Sequence, residues 1–422
     1  MKKSGYRFID LFAGCGGLSL GLEQSGFNPV FVNEINKDAL NSYLINREKK
    51  FPYLRDPKFH SKDIQECINK RFFEKLKRNL RYKFGSSAVH LVCGGPPCQG
   101  FSGMGIRRSY SVDKEKIPSN YLYEDMALFI ENMRPEIFLF ENVRGILNSK
   151  WSKSGRKGEV FEEVFKRFTS IKGYSVKWSL VHAKHFGVPQ NRPRVLIVGY
   201  RNKILTEKNN CIDAIDAIDA NFLPSKKIKA PNLIELLSDL EDKNFIYGGR
   251  TDTYPQPAKN RWQKKMRSCG NKIYKQGESI TEHEYSNHSK KIRERFKAII
   301  RMKGKIPKKY ENKKFAQRVI PKKWDEKGPS ITVTSMPDDF IHFNQARSLT
   351  VREYARIQTF PDWYQFCGKR TTGGIRRAGD PTKGIHFREV PKYTQIGNAV
   401  PVSMAREIGR FFKERLDQSL AK

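Results

Sequence analysis

No stretch of this chain approaches the roughly 20 consecutive apolar residues that a membrane-spanning helix needs, so a membrane protein is not expected. The opening residues, Met1 to Arg7, run straight into a strand-like segment and lack the apolar core of a secretory signal. Cysteine is sparse: seven occur, at 15, 67, 93, 98, 211, 269 and 367, with no Cys-x-x-Cys spacing. An odd, irregular set excludes a disulfide framework and a cysteine zinc site, and no metal is expected. The eight histidines fall in no motif, which disfavours a Cys-His thiol protease. Acid is scarce as well. Against 80 Lys+Arg stand only 44 Asp+Glu, a formal net charge of +36. Such an excess favours a polyanionic partner, of which nucleic acid is the commonest. What remains is ordinary for a folded protein: 38% hydrophobic and 12% aromatic residues in 422, enough for two domains. A soluble, cytoplasmic protein in a reducing compartment is the expectation.

The first half of the chain alternates strand and helix signals. Phe8 to Ala13 reads as a strand that breaks at Gly14-Cys15-Gly16-Gly17, and Leu18 to Glu23 opens a helix. Pro29 to Glu34 is a second strand, ending in a carboxylate. Strand, glycine turn, helix, strand and acid together are the signature of nucleotide binding. The glycines admit close backbone approach, and the acid accepts hydrogen bonds from ribose hydroxyls. A third glycine in the dinucleotide pattern would fall at Ser19, so a smaller adenosine-bearing cofactor fits better. A second acid follows at Asp63-Ile64. Ala88 to Cys93 is a buried strand stopped by Gly94-Gly95-Pro96-Pro97, which presents Cys98 at its carboxyl end. Further on come a helix over 124–133 and a strand over 137–140 leading into Glu141-Asn142-Val143. A helix over 161–168 follows, then strands over 176–181 and 195–200, the latter preceded by Gln190-Asn191-Arg192-Pro193-Arg194. The pattern predicts an α/β fold with a doubly wound, mostly parallel sheet.

Beyond Arg201 the character changes. Ile-Asp-Ala occurs three times from Ile212 to Ala220 and reads as helix or linker. Residues 290–327 hold 16 Lys/Arg against 4 Asp/Glu, with Phe296, Tyr310, Phe315 and Trp324 interleaved. That mixture suits a phosphate-backbone contact surface. A helix is expected over 348–359, then a Gly/Arg-rich loop over 371–384. Gln395 to Pro401 leads into a last helix from Val402 to about Leu416.

A thiol, a carboxylate and an arginine pair thus converge on one edge of the sheet. Cysteine, with a pKa of about 8.5, is only a few per cent thiolate at neutral pH, and an electropositive site activates it. Arg192 and Arg194 can supply that charge. A carboxylic acid beside a thiol suits a ring whose nitrogen is protonated while sulfur adds to it. Cytosine is such a ring: attack at C6 with protonation at N3 makes C5 nucleophilic toward a methyl group. The adenosine-type pocket would then hold S-adenosyl-L-methionine.

On these segments the chain resembles the DNA (cytosine-5)-methyltransferases of bacterial restriction-modification type. The matching stretches are Phe8–Glu23, Glu34, Asp63-Ile64, Gly94–Ser102, Glu141–Val143, Gln190–Arg194, Arg347–Phe360 and Gln395–Val402, in the family's order. The resemblance implies a Rossmann-like methyltransferase domain with a smaller target-recognition domain. It implies Cys98 as nucleophile and Glu141 on cytosine N3 and its amine. Arg194 would reach O2, with Arg192 supporting the catalytic loop and substrate backbone. Phe12, Gly14, Cys15, Gly16, Gly17 and Leu18 would wall the cofactor pocket. Glu34 would hold the ribose, Ile35 would pack on adenine, and Asp63 with Ile64 would form the adenine edge. Gly95 and Pro97 would add backbone, Leu122 would close the pocket, and Asn398 with Val400 would support the methionine end. Residues 99–121 would be a mobile catalytic loop hinged at Gly100, Gly103 and Gly105, and base flipping is implied.

The expected layout is a catalytic domain over 1–203, a target-recognition domain over 204–393 with its variable part at 204–345, and a return to the catalytic domain over 394–422. Double-stranded DNA is the expected partner; no obligate protein partner is evident and a monomer is expected, associated with the nucleoid through DNA. Three competitors share features. A transfer-RNA cytosine-5 methyltransferase shares the sites but lacks a long basic recognition segment. An inactive DNA-binding relative would have lost Cys98 or Glu141. Amino-directed DNA methyltransferases place an aromatic where this chain has Cys98.

Overall fold

The computed structural model describes residues 5–97, 117–205, 214–311, 318–323, 331–334, 336, 339–373, 376 and 389–420. Its frame is a seven-stranded sheet of β1 (Tyr6–Leu11), β2 (Phe27–Asn33), β3 (His60–Ser61), β4 (Leu91–Gly94), β5 (Ile137–Val143), β6 (Tyr174–His182) and β7 (Pro193–Arg201). The spatial order is β3-β2-β1-β4-β5-β7-β6. Neighbours pair in parallel from β3 to β5, and β7 runs antiparallel between β5 and β6. Order reverses between β1 and β4, and ligands of such sheets bind beyond the strand carboxyl ends at that reversal. The expected doubly wound, mostly parallel sheet is therefore present.

Five helices accompany the sheet: α1 (Gly17–Gln24), α2 (Lys37–Ile45), α3 (Lys70–Phe84), α4 (Leu122–Met133) and α5 (Glu159–Thr169). Local chemistry sets their limits. In α5, Val160, Phe161, Val164 and Phe168 recur at helical spacing and are buried, with Glu159 and Glu162 in the first turn and Lys166 and Arg167 in the last. That charge order complements the helix dipole. Arg134, in the left-handed region at φ 51°, ends α4 just before Pro135. One face of the sheet packs on α2 to α5 through residues such as Phe31, Phe73, Phe129 and Phe138. The other face packs on α1 and the long helix Val402–Leu420, through Leu22, Met404, Ile408 and Phe412. A Cβ at Gly21 would lie 2.4 Å from Ala405 Cβ, so glycine is what lets these two helices touch.

A third core gathers Leu233, Leu237, Tyr254, Ile331, Phe343, Tyr354 and Phe360, and is continuous with Cys15 and Leu20 of the first segment. Its polar framework is ionic and fully buried. Asp239 receives Arg267 at 2.6 Å and Arg356 at 2.5 Å; Arg356 also reaches Asp362 at 2.6 Å, and Arg347 pairs with Glu353 at 2.7 Å. Tyr254 adds a hydroxyl donor to Asp362 at 2.8 Å. No helix among the described residues is long and apolar enough to cross a membrane.

Several boundaries differ from expectation. The first strand stops at Leu11 rather than Ala13, because Phe12 turns to φ 56°. The helix expected over 348–359 is Val351–Ile357: Thr350 caps it, exchanging hydrogen bonds with Glu353. The described part of the Ile-Asp-Ala repeat is a turn rather than a helix, held by Asp216 accepting from the Ile218 amide at 2.7 Å. Ala217 and Ala220 pack it into the core of the sheet. Phe296 is 1% exposed inside the helix Lys290–Arg301, so it is a core residue and not a stacking platform. Phe315 and Trp324 lie outside the described residues. The last helix runs on to Leu420.

Replacing Arg356 by Met should leave Asp239 and Asp362 buried with too few partners and cost about 3–5 kcal/mol, read from urea unfolding. Burial acts to raise the Glu353 carboxyl, but Arg347 outweighs it and holds the group far below the ordinary range. Its share of stability is therefore full above the free glutamate value of about 4.3 and drains away as pH falls below it. An Arg347→Met variant should flatten that acid limb of the stability curve.

Candidate active site

At the carboxyl end of β4 the backbone is forced into narrow space. A Cβ on Gly94 would lie 2.7 Å from the Leu11 carbonyl oxygen, and one on Gly95 would lie 2.8 Å from Glu141 Oε2. Only glycine lets the chain pass so close to that carboxylate. Asn142 Nδ2 donates to the Pro96 carbonyl at 3.2 Å, while its Oδ1 accepts from the Val143 amide at 2.8 Å. The end of β5 therefore fixes the track Gly95-Pro96-Pro97 that leads to position 98. Cys98 and most of the expected catalytic loop, including Gly100, Gly103 and Gly105, lie outside the described residues.

Antiparallel pairing of β5 with β7 sets Val143 opposite Arg194 and Glu141 opposite Leu196. Arg194 reaches back along the ladder and places its Nε 2.6 Å from Glu141 Oε1, with both residues buried. Its Nη1 donates to the Pro193 carbonyl at 2.8 Å. Burial pushes the Arg194 guanidinium below its ordinary value, and Glu141 works against that shift. Oε1 is thus pinned, and Oε2 is the oxygen that faces Gly95.

Arg192 makes contacts inside the protein. It is buried, donating from Nη1 to the Val333 carbonyl at 3.0 Å and from Nη2 to the Gly397 carbonyl at 2.6 Å. Burial first, and then the neighbouring Arg194, push its guanidinium far below the ordinary value. A guanidinium that donates to two carbonyls inside the protein ties their segments together, while most of the catalytic loop that the resemblance assigns to it lies outside the described residues. Gln190 works beside it, accepting from the Val333 amide at 3.0 Å and donating to Gln358 Oε1 at 2.6 Å. Gln358 in turn donates to the Ile396 carbonyl at 2.7 Å.

The glycine turn after β1 forms a second cradle. Phe12 and Gly14 sit at φ 56° and Gly16 at φ 84°. A Cβ on Gly16 would meet Arg47 Nη1 at 2.7 Å, and one on Gly17 would meet the Val400 carbonyl oxygen at 2.4 Å. Across the turn, Glu34 Oε2 accepts from the Gly14 amide at 2.8 Å and Oε1 from the Asn36 amide at 2.7 Å. Each oxygen keeps lone pairs for a further donor. Burial raises the Glu34 carboxyl while these two amides act to lower it. Next to it Ile35 is 73% exposed, an unusual position for an isoleucine beside a buried acid. The Glu34 amide donates to the Ser61 carbonyl at 3.1 Å, which brings the end of β3 and the following Asp63 alongside. Asp63 Oδ1 accepts from the Gln65 amide at 3.0 Å. These residues have the donors, acceptors and apolar surface that an adenosine group needs.

Other expected cofactor residues sort by orientation. Leu18 and Ile64 are buried with their side chains in the cores, which limits them to backbone contacts. Cys15 directs its thiol to the Gln395 carbonyl at 3.5 Å, and burial pushes that thiol up to about 12. Leu122 is half-buried at the first turn of α4, and Pro97 is exposed. Asn398 is exposed at the end of the helix Lys392–Asn398. Among the described residues no His, Cys, Asp and Glu group could hold a metal ion.

Four residues were given no role of their own by sequence reasoning: Asn142, Asp10, Arg47 and Tyr364. Asn142 had a signal, its place beside Glu141. Asp10 is buried in β1, accepts from Ser19 Oγ at 2.6 Å and from the Cys93 thiol at 3.7 Å, and is pushed up to about 7 chiefly by burial. Arg47 donates to the Gly16 carbonyl at 3.1 Å and to Tyr364 Oη at 3.1 Å, and Tyr364 donates to the Cys15 carbonyl at 2.5 Å. No local pattern announces an arginine and a tyrosine 317 positions apart as a clamp on one glycine turn.

Known proteins are similar to this chain in sequence and fold. The family described as C-5 cytosine-specific DNA methylase matches residues 6–414. The type II methyltransferase M.DdeI of Desulfomicrobium norvegicum is 30% identical over 95% of this chain and 86% of its own length. M.Sau96I of Staphylococcus aureus is 26% identical over 99% of this chain and 78% of its own. In fold, the chain is similar to a crystal structure described as a DNA modification methyltransferase encoded within an E. coli prophage. That likeness has a TM-score of 0.68 at 22% identity, over 98% of this chain and 99% of the other. The methyltransferase EhMeth of Entamoeba histolytica follows with a TM-score of 0.53 at 14% identity, over 98% and 99% of the two chains. With a family match spanning nearly the whole chain, this protein belongs to the C-5 cytosine-specific DNA methylases and is a DNA (cytosine-5)-methyltransferase.

Proposed function

We propose that the protein methylates C5 of a cytosine within a specific double-stranded DNA sequence, using S-adenosyl-L-methionine, after the base is flipped out of the helix. The observation that supports this most directly is the Glu141 carboxylate. One oxygen is held by Arg194, and the other faces Gly95, three residues before Cys98. Oε2 is therefore aimed toward the segment that carries the nucleophile. The Cys98 thiolate adds to cytosine C6 while Glu141 delivers a proton to N3, so the ring electrons collect at C5 rather than on nitrogen. Bound in the cradle of Gly14, Glu34, Ile35 and Asp63, S-adenosylmethionine supplies an electrophilic methyl group. C5 takes the methyl as its bond to the donor's sulfonium sulfur breaks and leaves a thioether; a water molecule then takes the C5 proton, the Cys98 thiolate departs from C6, and N3 returns its proton to Glu141, restoring the aromatic ring. Arg194 orients the carboxylate and reaches cytosine O2 with its remaining nitrogen. Arg192 is a positioning residue, acting through Val333 and Gly397.

Residues 204–393 are read as the target-recognition domain, variable over 204–345, with 1–203 and 394–422 forming the catalytic domain. The basic helix Lys290–Arg301 exposes Lys290, Lys291, Lys297 and Arg301 for phosphate contacts. Given relatives that are type II methyltransferases, the role proposed is protection of host DNA in a restriction-modification system.

Bisulfite sequencing of plasmid from expressing cells should show one cytosine context converted to 5-methylcytosine; an unmodified plasmid would sink the reading. Cys98→Ser should abolish methyl transfer while DNA and cofactor still bind. Wild type should form a covalent adduct, visible on a denaturing gel, with 5-fluorocytosine at the target position. Glu141→Gln should lower the single-turnover rate by about 10²–10⁴ with cofactor affinity little changed.

A further inference from the structure

α3 presents Lys70, Arg71, Lys75, Arg78, Arg81 and Lys83 to solvent against one exposed acid, Glu74. Among the described residues none of the six is engaged in an ion pair. At the amino end the arrangement works against the helix itself, whereas Arg81 and Lys83 suit its last turn. Arg71 and Lys75 are like charges four residues apart, Lys75 and Arg78 three apart, and Lys70 and Arg71 occupy the positive end of the helix dipole. No acid stands in that first turn. Stability comes instead from the opposite face, where Phe73, Leu76 and Leu80 are buried, and from the caps Asn69 and Gly85. Nothing in packing requires so many cations outside.

Helical spacing places Arg71, Lys75 and Arg78 in one stripe that ends at Tyr82, which is 93% exposed. At 1.5 Å per residue the stripe is about 16 Å long and faces about five base pairs of one strand. Its position separates it from the reaction centre. Phe72 packs on Phe31 of β2 at 5.7 Å, and β2 lies three strands from β5, about 14 Å across the sheet. The carboxyl end of α3 lies at the amino edge of the sheet, where Arg7 of β1 donates to the Ser86 carbonyl at 2.8 Å. The stripe therefore runs away from the strand ends that carry Glu34 and Glu141.

We propose that this face of α3 is a second, sequence-independent contact surface for duplex DNA lying beyond the methylated site. A membrane surface would need a free apolar face, and that of α3 is buried in the core. An unpaired strand would need a groove with interleaved stacking rings, whereas α3 is a convex rod with one exposed ring. The inference rests on duplex DNA being the substrate.

The test uses two duplexes carrying the methylated site, about 15 and about 45 base pairs long, roughly one and a half and four turns. Wild type and the triple variant Arg71→Gln, Lys75→Gln, Arg78→Gln are compared at matched melting temperature. The variant should bind the long duplex about tenfold more weakly, with a log–log salt slope shallower by about 3. Its affinity and turnover on the short duplex should stay within about twofold. Unchanged binding to the long duplex overturns the proposal. Equal losses on both lengths also overturn it, because they report a general field and not a second contact. Loss only on single-stranded RNA or on anionic vesicles assigns the face to that partner instead. If wild type fails to methylate even the short duplex, the proposed function has failed rather than this surface.

Discussion

The carboxyl ends of β4 and β5 are organised by the ion pair between Glu141 and Arg194. It exists because β7 runs antiparallel to β5, so that an arginine at the start of one strand can reach a carboxylate near the end of the other. A parallel neighbour would carry its polar start to the far edge of the sheet. The pair holds one carboxylate oxygen and turns the other toward Gly95, where only a hydrogen atom fits. Strand polarity, a single glycine and one guanidinium thus fix the direction of the carboxylate.

Besides the shared apolar core, buried side chains that bond to distant carbonyls and amides tie the later segments to this site. Gln190, Arg192 and Gln358 link residues near 190 to those near 333, 358 and 397. Such bonds are directional and lose much of their strength when misaligned, so they specify a geometry more than they add stability. The ionic cluster of Asp239, Arg267, Arg356 and Asp362 has the same character. A hydrophobic core of equal volume could match it in energy but would not fix the angle at which the helices meet.

Much of this was legible in the sequence where the chemistry is local. Glycine turns, carboxylates at strand ends and helix caps declare themselves over a few residues, so the sheet, α5 and the Glu34 cradle were readable in advance. Errors arose where a neighbour far along the chain decides. The Ile-Asp-Ala repeat has helical composition, yet Trp178 and the core of the sheet draw it into a turn. Phe296 looked like a stacking ring among lysines until the helix Lys290–Arg301 turned it inward. The carbonyls that Arg192 meets are likewise beyond local reading, because they lie 141 and 205 positions away.

The close fit of Gly17 against the Val400 carbonyl, and of Cys15 against that of Gln395, has a temporal side. The surface that backs the glycine turn is translated 380 positions after it. At about 5–20 residues per second, a ribosome needs roughly 20–80 seconds to close that interval. Throughout that time α1 lacks the helix it packs on, and the nucleotide cradle lacks its rear wall. The glycine turn reaches its packed form only when the far end of the described chain has been made.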